Sequence, residues 1–294
     1  EVANAENVAR NIHEYDLPRE VIRTDLLNDV GVWTALLQNM PMTAMLRNLG
    51  TMASKGVFKD SQNLKLVIDR LHDTIRIKKA KVHPINVFTA LSIYKRGSGL
   101  RGSNNWTVSS AILDALADCF DLSFVNVEPS GKNILLAIDT SGSMQSLCHE
   151  ATQSSALDLC GVMATVMLRT EPNITVIGVD TQIRENLGLS GRQRVDDVVL
   201  RLAQFRGGGT NLVLPFHKVT SDTEAIMLFT DSENGHGDLR SAQENFVKGR
   251  PDRRMILAQM SANGYGWVHS RGKDDLDQVG RQSLEIVGFD PSIA

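Results

Sequence analysis

Five apolar residues lead into an acid and two alternate serines in Ile134-Leu135-Leu136-Ala137-Ile138-Asp139-Thr140-Ser141-Gly142-Ser143. A short uninterrupted apolar run predicts a strand that is buried on both faces, as in a parallel sheet. Asp139, Ser141 and Ser143 then fall where this strand meets its loop. Because small divalent cations prefer carboxylate and hydroxyl oxygens, the stretch predicts part of a cation site.

Two later segments supply the rest of the predicted cation site. Gly207-Gly208-Gly209-Thr210 offers a loop hydroxyl, and the apolar run before Asp231 repeats the pattern of a buried strand ending in an acid. Five hard oxygens, with water completing an octahedron, suit one small cation. The predicted ligands are Asp139, Ser141, Ser143, Thr210 and Asp231. Mg²⁺ is the preferred ion, with Mn²⁺ and Ca²⁺ as alternatives.

Enzymatic uses of the same residues are less well supported. Ser141 or Ser143 as a nucleophile needs a histidine base, and no nearby histidine follows a strand with an acid to orient it. Phosphoaspartyl chemistry at Asp139 needs a partner lysine that the sequence does not place, and a metal-dependent phosphatase or hydrolase is the remaining alternative. We predict a protein that is not an enzyme.

Alternating strands and helices after Pro129-Ser130-Gly131-Lys132 predict the fold class. The predicted strands span residues 133–139, 174–180, 225–231, 254–260 and 283–289, and the predicted helices span residues 146–170, 193–204, 213–220, 238–248 and 274–280. This alternation is typical of an α/β protein with a doubly wound, mostly parallel sheet, whose ligands bind at the carboxyl ends of its strands. We assign residues 129–294 to this domain.

Residues 1–128 predict a second domain that is α-helical. Apolar positions recur at helical spacing after residues that cap or open helices, namely Asp29, Pro41, Asp60 or Ser61, Pro84 and Ser109-Ser110. Paired helices joined by short polar turns are typical of an α-solenoid, and we predict two or three HEAT-like helix pairs. An irregular helical bundle is the alternative, because no strict repeat is visible.

The helical domain also has the most uneven charge in the chain. No acid occurs between Thr74 and Leu113, although the chain has 34 acids in 294 residues. The basic residues here are Arg76, Lys78, Lys79, Lys81, His83, Lys95, Arg96 and Arg101. A charge run is usually a solvated helix face, but the absence of acids favours contact with nucleic-acid phosphates, with Trp106 nearby as a stacking surface. His83 has an alternative role as a helix cap or core histidine.

The composition indicates a globular protein, with 42% hydrophobic and 22% charged residues. No run of 18 apolar residues is present, so we predict no membrane span. Cys119, Cys148 and Cys160 are odd in number and lie in apolar patterns, so we expect reduced thiols and a cytoplasmic location. The chain begins at Glu1 rather than Met, which suggests a processed or truncated chain.

Several motifs make the chain resemble the Ro autoantigen family, RNA-binding proteins that join a ring of helical repeats, the TROVE module, to a von Willebrand factor A domain. The motifs are Leu17-Pro18-Arg19-Glu20, residues 32–50 (VWTALLQNMPMTAMLRNLG), His83-Pro84, residues 94–102 (YKRGSGLRG), residues 127–132 (VEPSGK) and the predicted cation motif. The resemblance covers nearly the whole chain.

The resemblance implies that the five predicted ligands form a metal-ion-dependent adhesion site. It also implies that the helices bind structured non-coding RNAs without catalysis, such as Y RNAs and misfolded transcripts, with a single-stranded end passing into the ring. Family members carry further repeats upstream of what is residue 1 here, so the chain is expected to be N-terminally short. A second hypothesis is a protein-interaction adaptor whose cation binds an acidic residue of a partner protein.

Overall fold

The structure, a computed structural model, describes residues 4–99, 104–150, 152–205, 207–231, 236–260 and 278–288. The chain divides into two units, Glu1–Val127 and Glu128–Ala294, which we call the helical unit and the sheet unit. The boundary that we predict from the sequence lies beside this one, between residues 128 and 129.

The helical unit contains α1 Ala5–Tyr15, α2 Val30–Asn39, α3 Met42–Ser54, α4 Ser61–His72, α5 Thr74–Lys79, α6 Pro84–Arg96 and α7 Ser110–Leu122. Single 3-10 turns lie at Arg19–Val21, Leu26–Asn28, Val57–Lys59 and Ser123–Asn126. Helix α1 is not evident from the sequence, because Ile12 is its one buried residue and its apolar pattern is correspondingly weak.

Capping side chains explain where several helices begin. Asp29 and Asp60 each accept a hydrogen bond from a backbone N–H of the first turn, at 3.1 and 2.9 Å, so the predicted starts of α2 and α4 are confirmed. His83 caps α6 through Nδ1 at 3.3 Å, and Pro84 occupies its first turn. Ser109 precedes α7, but its side chain makes no capping bond.

Packing between consecutive helices and between helices distant in sequence holds the helical unit together. Helix α3 packs on α6, and both α4 and α6 pack on α7. The core includes Trp33, Leu37, Met45, Leu71 and Tyr94, none more than 1% exposed. Burial of a large apolar side chain stabilises a fold by about 1.5–3 kcal/mol, so these contacts fix the helices that carry the basic residues.

The sheet unit contains β1 Ile134–Asp139, β2 Leu147–His149, β3 Ser154–Ser155, β4 Ile174–Val179, β5 Ile183–Arg184, β6 Ala225–Thr230, β7 Arg254–Gln259 and β8 Ser283–Val287. Its helices are α8 Ala156–Thr170, α9 Val195–Leu202, α10 Leu239–Val247 and α11 Gln278–Arg281, with 3-10 turns at Gly142–Gln145 and Leu214–Lys218. One sheet has the order β5-β4-β1-β6-β7-β8, and β2 pairs with β3. Strand β5 pairs antiparallel with β4, and the other strands of the large sheet pair in parallel. The predicted doubly wound, mostly parallel sheet is confirmed.

Two segments of the sheet unit depart from the prediction. The helix predicted over residues 146–170 is wrong in its first part, because a capping box between Ser155 and Asp158 starts α8 at Ala156. Strands β2 and β3 precede it. The edge strand β5 is absent from the prediction because two residues are too few to show a period. Residues 274–277 and 289, in the predicted last helix and strand, lie outside the described residues.

Sheet topology places three acids at the edge of the sheet where its parallel strands have their carboxyl ends. Strand β1 is buried at all six positions and pairs in parallel with β4 on one side and β6 on the other. Because parallel strands present their carboxyl ends at the same edge, Asp139, Asp180 and Asp231 all lie there. This edge carries the predicted cation site.

No helix in the described ranges combines the length and the apolar character that crossing a membrane requires. Even α8, with 15 residues, is shorter than the span of about 20 that a bilayer needs. Cys119, Cys148 and Cys160 are all free thiols.

Candidate cation site and basic surface

Asp139 is the centre of the candidate cation site. The residue is fully buried, and its Oδ1 accepts a hydrogen bond from the Ser141 backbone N–H at 2.8 Å. Its Oδ2 accepts from the hydroxyls of Thr230 at 2.7 Å and Thr210 at 3.4 Å. One carboxylate therefore joins groups from the loop after β1, the end of β6 and the glycine-rich loop.

The two predicted serine ligands lie side by side. The 3-10 turn at Gly142–Gln145 follows Ser141 directly, and the hydroxyls of Ser141 and Ser143 are 3.2 Å apart. Ser141 is buried and Ser143 is half-buried. The turn thus offers two adjacent hydroxyl oxygens beside the carboxylate of Asp139.

Backbone hydrogen bonds hold the glycine-rich loop against the loop after β1. The N–H of Gly207 donates to the Thr140 carbonyl at 3.0 Å, and the N–H of Gly142 donates to the Gly208 carbonyl at 3.3 Å. Thr210 follows these glycines and is buried. Main-chain contacts therefore bring Thr210 to Asp139 across 71 residues of sequence.

The second predicted acid lies beside the first. Asp231 follows β6 and is 6% exposed, and β6 pairs in parallel with β1, so the two acids follow neighbouring strand ends. Thr230, whose hydroxyl makes the shortest side-chain contact to Asp139, is absent from the sequence prediction. Its signal in the sequence is a hydroxyl residue directly before the strand-terminal acid.

Burial and charge act together on Asp139. Burial raises its pKa to about 6, hydrogen bonds from Thr230 and Ser141 lower it, and the charge of Asp231 raises it. Among the described residues, no cationic side chain pairs with Asp139. A positive ion between the two carboxylates would favour their charged forms.

The donor set fits a hard cation. Two carboxylates and three hydroxyls are oxygen ligands of the kind that Mg²⁺, Mn²⁺ and Ca²⁺ take. Within the described ranges, no group of three or more His, Cys, Asp or Glu residues is placed to hold a metal ion. A cation here would therefore depend on the hydroxyls, because the five predicted ligands include none of the nitrogen and sulfur atoms that zinc prefers.

The arrangement does not resemble a serine hydrolase. In the part of the chain that the structure describes, the hydroxyls of Ser141 and Ser143 bond to each other, and no histidine bonds to either. His149 bonds instead to the Thr152 hydroxyl at 2.7 Å. The general base that a serine nucleophile requires is not among the described partners of these serines.

The predicted basic residues form two groups. The first basic group, Arg76, Lys78, Lys79 and Lys81, lies on α5 and the turn after it, and all four side chains are exposed. The second basic group is Lys95, which is exposed, and Arg96, which is half-buried and donates to the Ser98 carbonyl at 2.8 and 2.9 Å. Arg101 lies outside the described residues.

Helix α6 separates the two groups. The first basic group and His83 lie at its start, whereas the second basic group lies in its last turn. The twelve steps from Pro84 to Arg96 correspond to about 18 Å at 1.5 Å per residue. His83 is the N-cap of α6, and burial lowers its pKa, which favours a neutral imidazole. A role for His83 in RNA contact stays a prediction.

The aromatic residue of this region is engaged in packing. The Trp106 ring stacks on Tyr94 with centroids 6.2 Å apart, and its Nε1 donates to the Tyr94 carbonyl at 2.9 Å. A Cβ added to Gly50 would lie 2.6 Å from the Trp106 ring. Trp106 is half-buried, and these contacts pack its ring against Tyr94 and Gly50; a role as a stacking surface for bases stays a prediction.

Family models match both units. Residues 17–101 match the TROVE domain, and residues 133–294 match the Ro60 vWA domain. The chain is 30% identical over 281 residues to an RNA-binding protein RO60 of Deinococcus radiodurans, covering 92% of this chain and 52% of that protein. It is 29% identical over 296 residues to an RNA-binding protein RO60 of Caenorhabditis elegans, covering 98% and 44%.

A solved structure is similar to nearly the whole chain. The crystal structure of the Deinococcus radiodurans RO (RSR) protein matches with a TM-score of 0.85 at 27% identity, covering 98% of this chain and 58% of that one. The chain spans about half the length of the curated relatives that it matches.

Proposed function

Since this chain belongs to the Ro60 family, we propose that it binds small structured or misfolded non-coding RNA, including Y RNA-like molecules, without catalysis. The helical unit supplies the RNA surface through its two basic groups. The relatives carry the name RNA-binding protein, which agrees with the prediction that the chain is not an enzyme. Its three free thiols suit the cytoplasm, where we place the protein.

The exposure of the first basic group carries this proposal. Lys78, Lys79 and Lys81 are exposed and make no ion pair with a described residue, while Arg76 lies 3.6 Å from Asp73. Three unpaired lysines within four residues form a concentrated positive surface. RNA phosphates bind such surfaces by displacing counterions.

Local strain at Lys81 supports the same role. Lys81 has a φ of 49°, in the left-handed region that glycine adopts more easily. The turn is braced by Asn126, whose Nδ2 donates to the carbonyls of Ile77 and Val82 at 3.1 and 2.9 Å. A lysine at this position costs about 1 kcal/mol relative to glycine, and Lys81 supplies an exposed positive charge at the turn.

The distance between the two basic groups determines how long an RNA must be to contact both. A molecule that contacts both must span about 18 Å along α6, which suits an RNA segment rather than a single nucleotide. Lys95→Ala should therefore weaken binding to long RNA and leave binding to very short oligonucleotides unchanged. Equal effects on both would show that the groups do not bind one molecule.

Crosslinking in cells tests the proposal. RNA crosslinked to the wild-type chain is recovered and sequenced, beside a K78A/K79A/K81A variant and a control, R47A/K59A/K65A, which removes three exposed charges elsewhere in the helical unit. We expect non-coding RNA from the wild type and the control, and a large loss in the first variant. Equal recovery from all three would contradict RNA binding by the first basic group.

We further propose that the sheet unit binds a divalent cation, Mg²⁺ best, with Mn²⁺ or Ca²⁺ as alternatives. Asp139, Ser141, Ser143, Thr210 and Asp231 would hold it. The hydrogen bonds that join Asp139 to Ser141 and Thr210, and the adjoining hydroxyl of Ser143, support this set. A bound ion would supply positive charge to a phosphate or carboxylate oxygen of a ligand.

A metal-dependent adaptor is the second candidate function. The cation site lies in the sheet unit and the basic groups in the helical unit, so an acidic protein partner could use the site without RNA. A pull-down from nuclease-treated extract tests this. Capture that needs Mg²⁺ and is lost in Asp139→Ala would favour the adaptor, whereas loss of all partners on nuclease treatment would contradict it.

A further inference from the structure

Asp180 is a third acid at the edge of the sheet that carries the cation site. It follows β4 and is fully buried. Its Oδ1 accepts from the Gln182 backbone N–H at 2.8 Å, and its Oδ2 accepts from Nε and a terminal nitrogen of Arg184 at 3.2 and 3.0 Å. Because a buried carboxylate is costly unless paired, the ion pair with Arg184 compensates for the burial of Asp180.

The short edge strand β5 produces this ion pair. A hairpin turn at residues 180–182 folds β5 back on β4, so that Arg184 pairs with Gly178. A Cβ added to Gly178 would lie 3.2 Å from the Arg184 Cβ, so the glycine leaves room for the arginine to approach. The two residues of β5 extend the sheet very little, but they place the Arg184 guanidinium beside the Asp180 carboxylate.

The glycine-rich loop rests on the Asp180 carboxylate. A Cβ added to Gly207 would lie 2.1 Å from Asp180 Oδ2, far inside contact distance, so only glycine fits there. The backbone N–H of Asn211 donates to the Asp180 carbonyl at 3.0 Å. Asp180 therefore contacts the loop near its start and at its end.

Thr210 lies between these two contacts. Its hydroxyl is 3.4 Å from Asp139 Oδ2, so a small shift of the loop changes the distance between this hydroxyl and the acid. Small hard cations such as Mg²⁺ require oxygen ligands at narrowly defined distances. The position of the loop thus bears directly on the affinity of the site.

We propose that Asp180, held by Arg184, is a positioning residue that fixes the loop of residues 207–211 and so places Thr210 for the cation. The proposal rests on the proposed cation site. Asp139 and Asp231 supply negative charge to the ion, whereas the charge of Asp180 is balanced within the protein. Asp180 thus fixes the position of the loop and does not itself supply a ligand atom to the ion.

Adjacent glycines offer a matched test. Gly207→Ala should displace the loop because of its overlap with Asp180, whereas Gly208→Ala meets nothing closer than the Thr181 Cγ2 at 3.9 Å. Loss of a group that orients a metal ligand weakens metal binding by about 10- to 100-fold. We expect that loss in G207A and a change of less than about twofold in G208A, measured by calorimetric titration with Mg²⁺ and Mn²⁺.

Arginine variants test the ion pair itself. Arg184→Met leaves the Asp180 carboxylate without its cation and should weaken Mg²⁺ binding about 10-fold. Adding Asp180→Asn to R184M removes the unpaired charge and should recover part of the loss, which a residue important only for stability would not show. Hydrogen exchange at the Asn211 amide, measured without metal, should be faster in R184M than in the wild type.

The possible outcomes separate the two proposals. If the wild type binds Mg²⁺ and Asp139→Ala does not, yet G207A and R184M bind as tightly as the wild type, the positioning role is overturned while the cation site stands. If the wild type and Asp139→Ala both fail to bind, the cation site is overturned and with it the role toward an ion. Unchanged exchange at Asn211 in R184M would overturn the support of the loop by Asp180 in either case.

Discussion

The first basic group and the cation site present their charges in opposite ways. The basic side chains are exposed and lie within six residues of one another, on one short helix and its turn. The acids of the cation site are buried, and Asp139 bonds to partners up to 91 residues away. Local sequence is sufficient to build the first basic group, whereas the cation site requires the completed sheet.

This difference predicts different responses to substitution. Exposed cations act independently and are screened by salt, so their effects should add and should depend on ionic strength. Buried groups that share hydrogen bonds are coupled, so a single change at Asp139 should affect the whole site. The four predictions below test the contrast, from the largest expected effect to the smallest.

The largest effect is expected at the buried acid. Asp139→Asn removes a charged ligand and should weaken Mg²⁺ binding by more than about 100-fold, which corresponds to about 2.7 kcal/mol. Thermal unfolding measures this, because Mg²⁺ at 100 times its Kd should stabilise the wild type by about 2.7 kcal/mol and leave the variant unchanged. Asp196→Asn, at an exposed carboxyl, is the control and should behave as the wild type. Mg²⁺ stabilisation of D139N would disprove the assigned site.

A smaller effect is expected for the exposed cations. K78A/K79A/K81A should lower RNA affinity by about 10- to 100-fold near physiological salt and reduce the slope of log K against log salt by about 2–3, because three phosphate contacts are lost. Fluorescence anisotropy over a range of salt measures both. R47A/K59A/K65A should keep the wild-type slope, and an equal reduction in that control would indicate only a non-specific charge effect.

Acidity should change the stability of the metal-free protein through Asp139. Burial raises its pKa to about 6, so the folded state favours the protonated carboxyl. This contribution is fully present below the unfolded pKa near 4 and is lost as the pH rises through about 6, for an expected loss of about 2–3 kcal/mol. Urea unfolding of wild type and D139N between pH 4 and 7 tests this. Identical pH profiles of the two proteins would contradict it.

The smallest effect separates stability from binding at Lys81. Lys81→Gly should stabilise the helical unit by up to about 1 kcal/mol, because glycine adopts a positive φ at lower cost. The same change should weaken RNA binding a few-fold by removing one charge. Thermal unfolding and RNA titration measure the two effects, with Lys79→Ala as the control that loses charge without relieving strain. A lower unfolding temperature in K81G would contradict the prediction that the backbone of Lys81 is strained.

The sequence prediction is most complete where structure is local. Strand β1 and the starts of α2 and α4 follow from an apolar run and from capping side chains, and all lie within a few residues of their signals. The predicted helix over residues 146–170 is wrong in its first part because a capping box, an equally local device, competes with helical periodicity. Strand β5 is too short to carry a pattern.

The ligand set of the candidate site stays a prediction, and the groups that support Asp139 and Thr210 are absent from it. Asp139, Ser141 and Thr210 meet at the predicted edge of the sheet. Thr230 and Asp180 reach the site because β6 and β4 flank β1 in register, and no spacing within the sequence encodes that neighbourhood. The basic residues likewise form one stretch in sequence but two groups in space, because α6 lies between them.

The sequence by itself determined the strand–acid motif, the helix caps, the acid-free basic interval and the alternation that specifies a doubly wound sheet. These features depend on interactions among neighbouring residues, which the order of side chains encodes directly. Tertiary structure alone decided that Thr230 bonds to Asp139, that Arg184 pairs with Asp180, and that Trp106 stacks on Tyr94. Those contacts join residues that only strand register and helix packing bring within a few ångströms of each other.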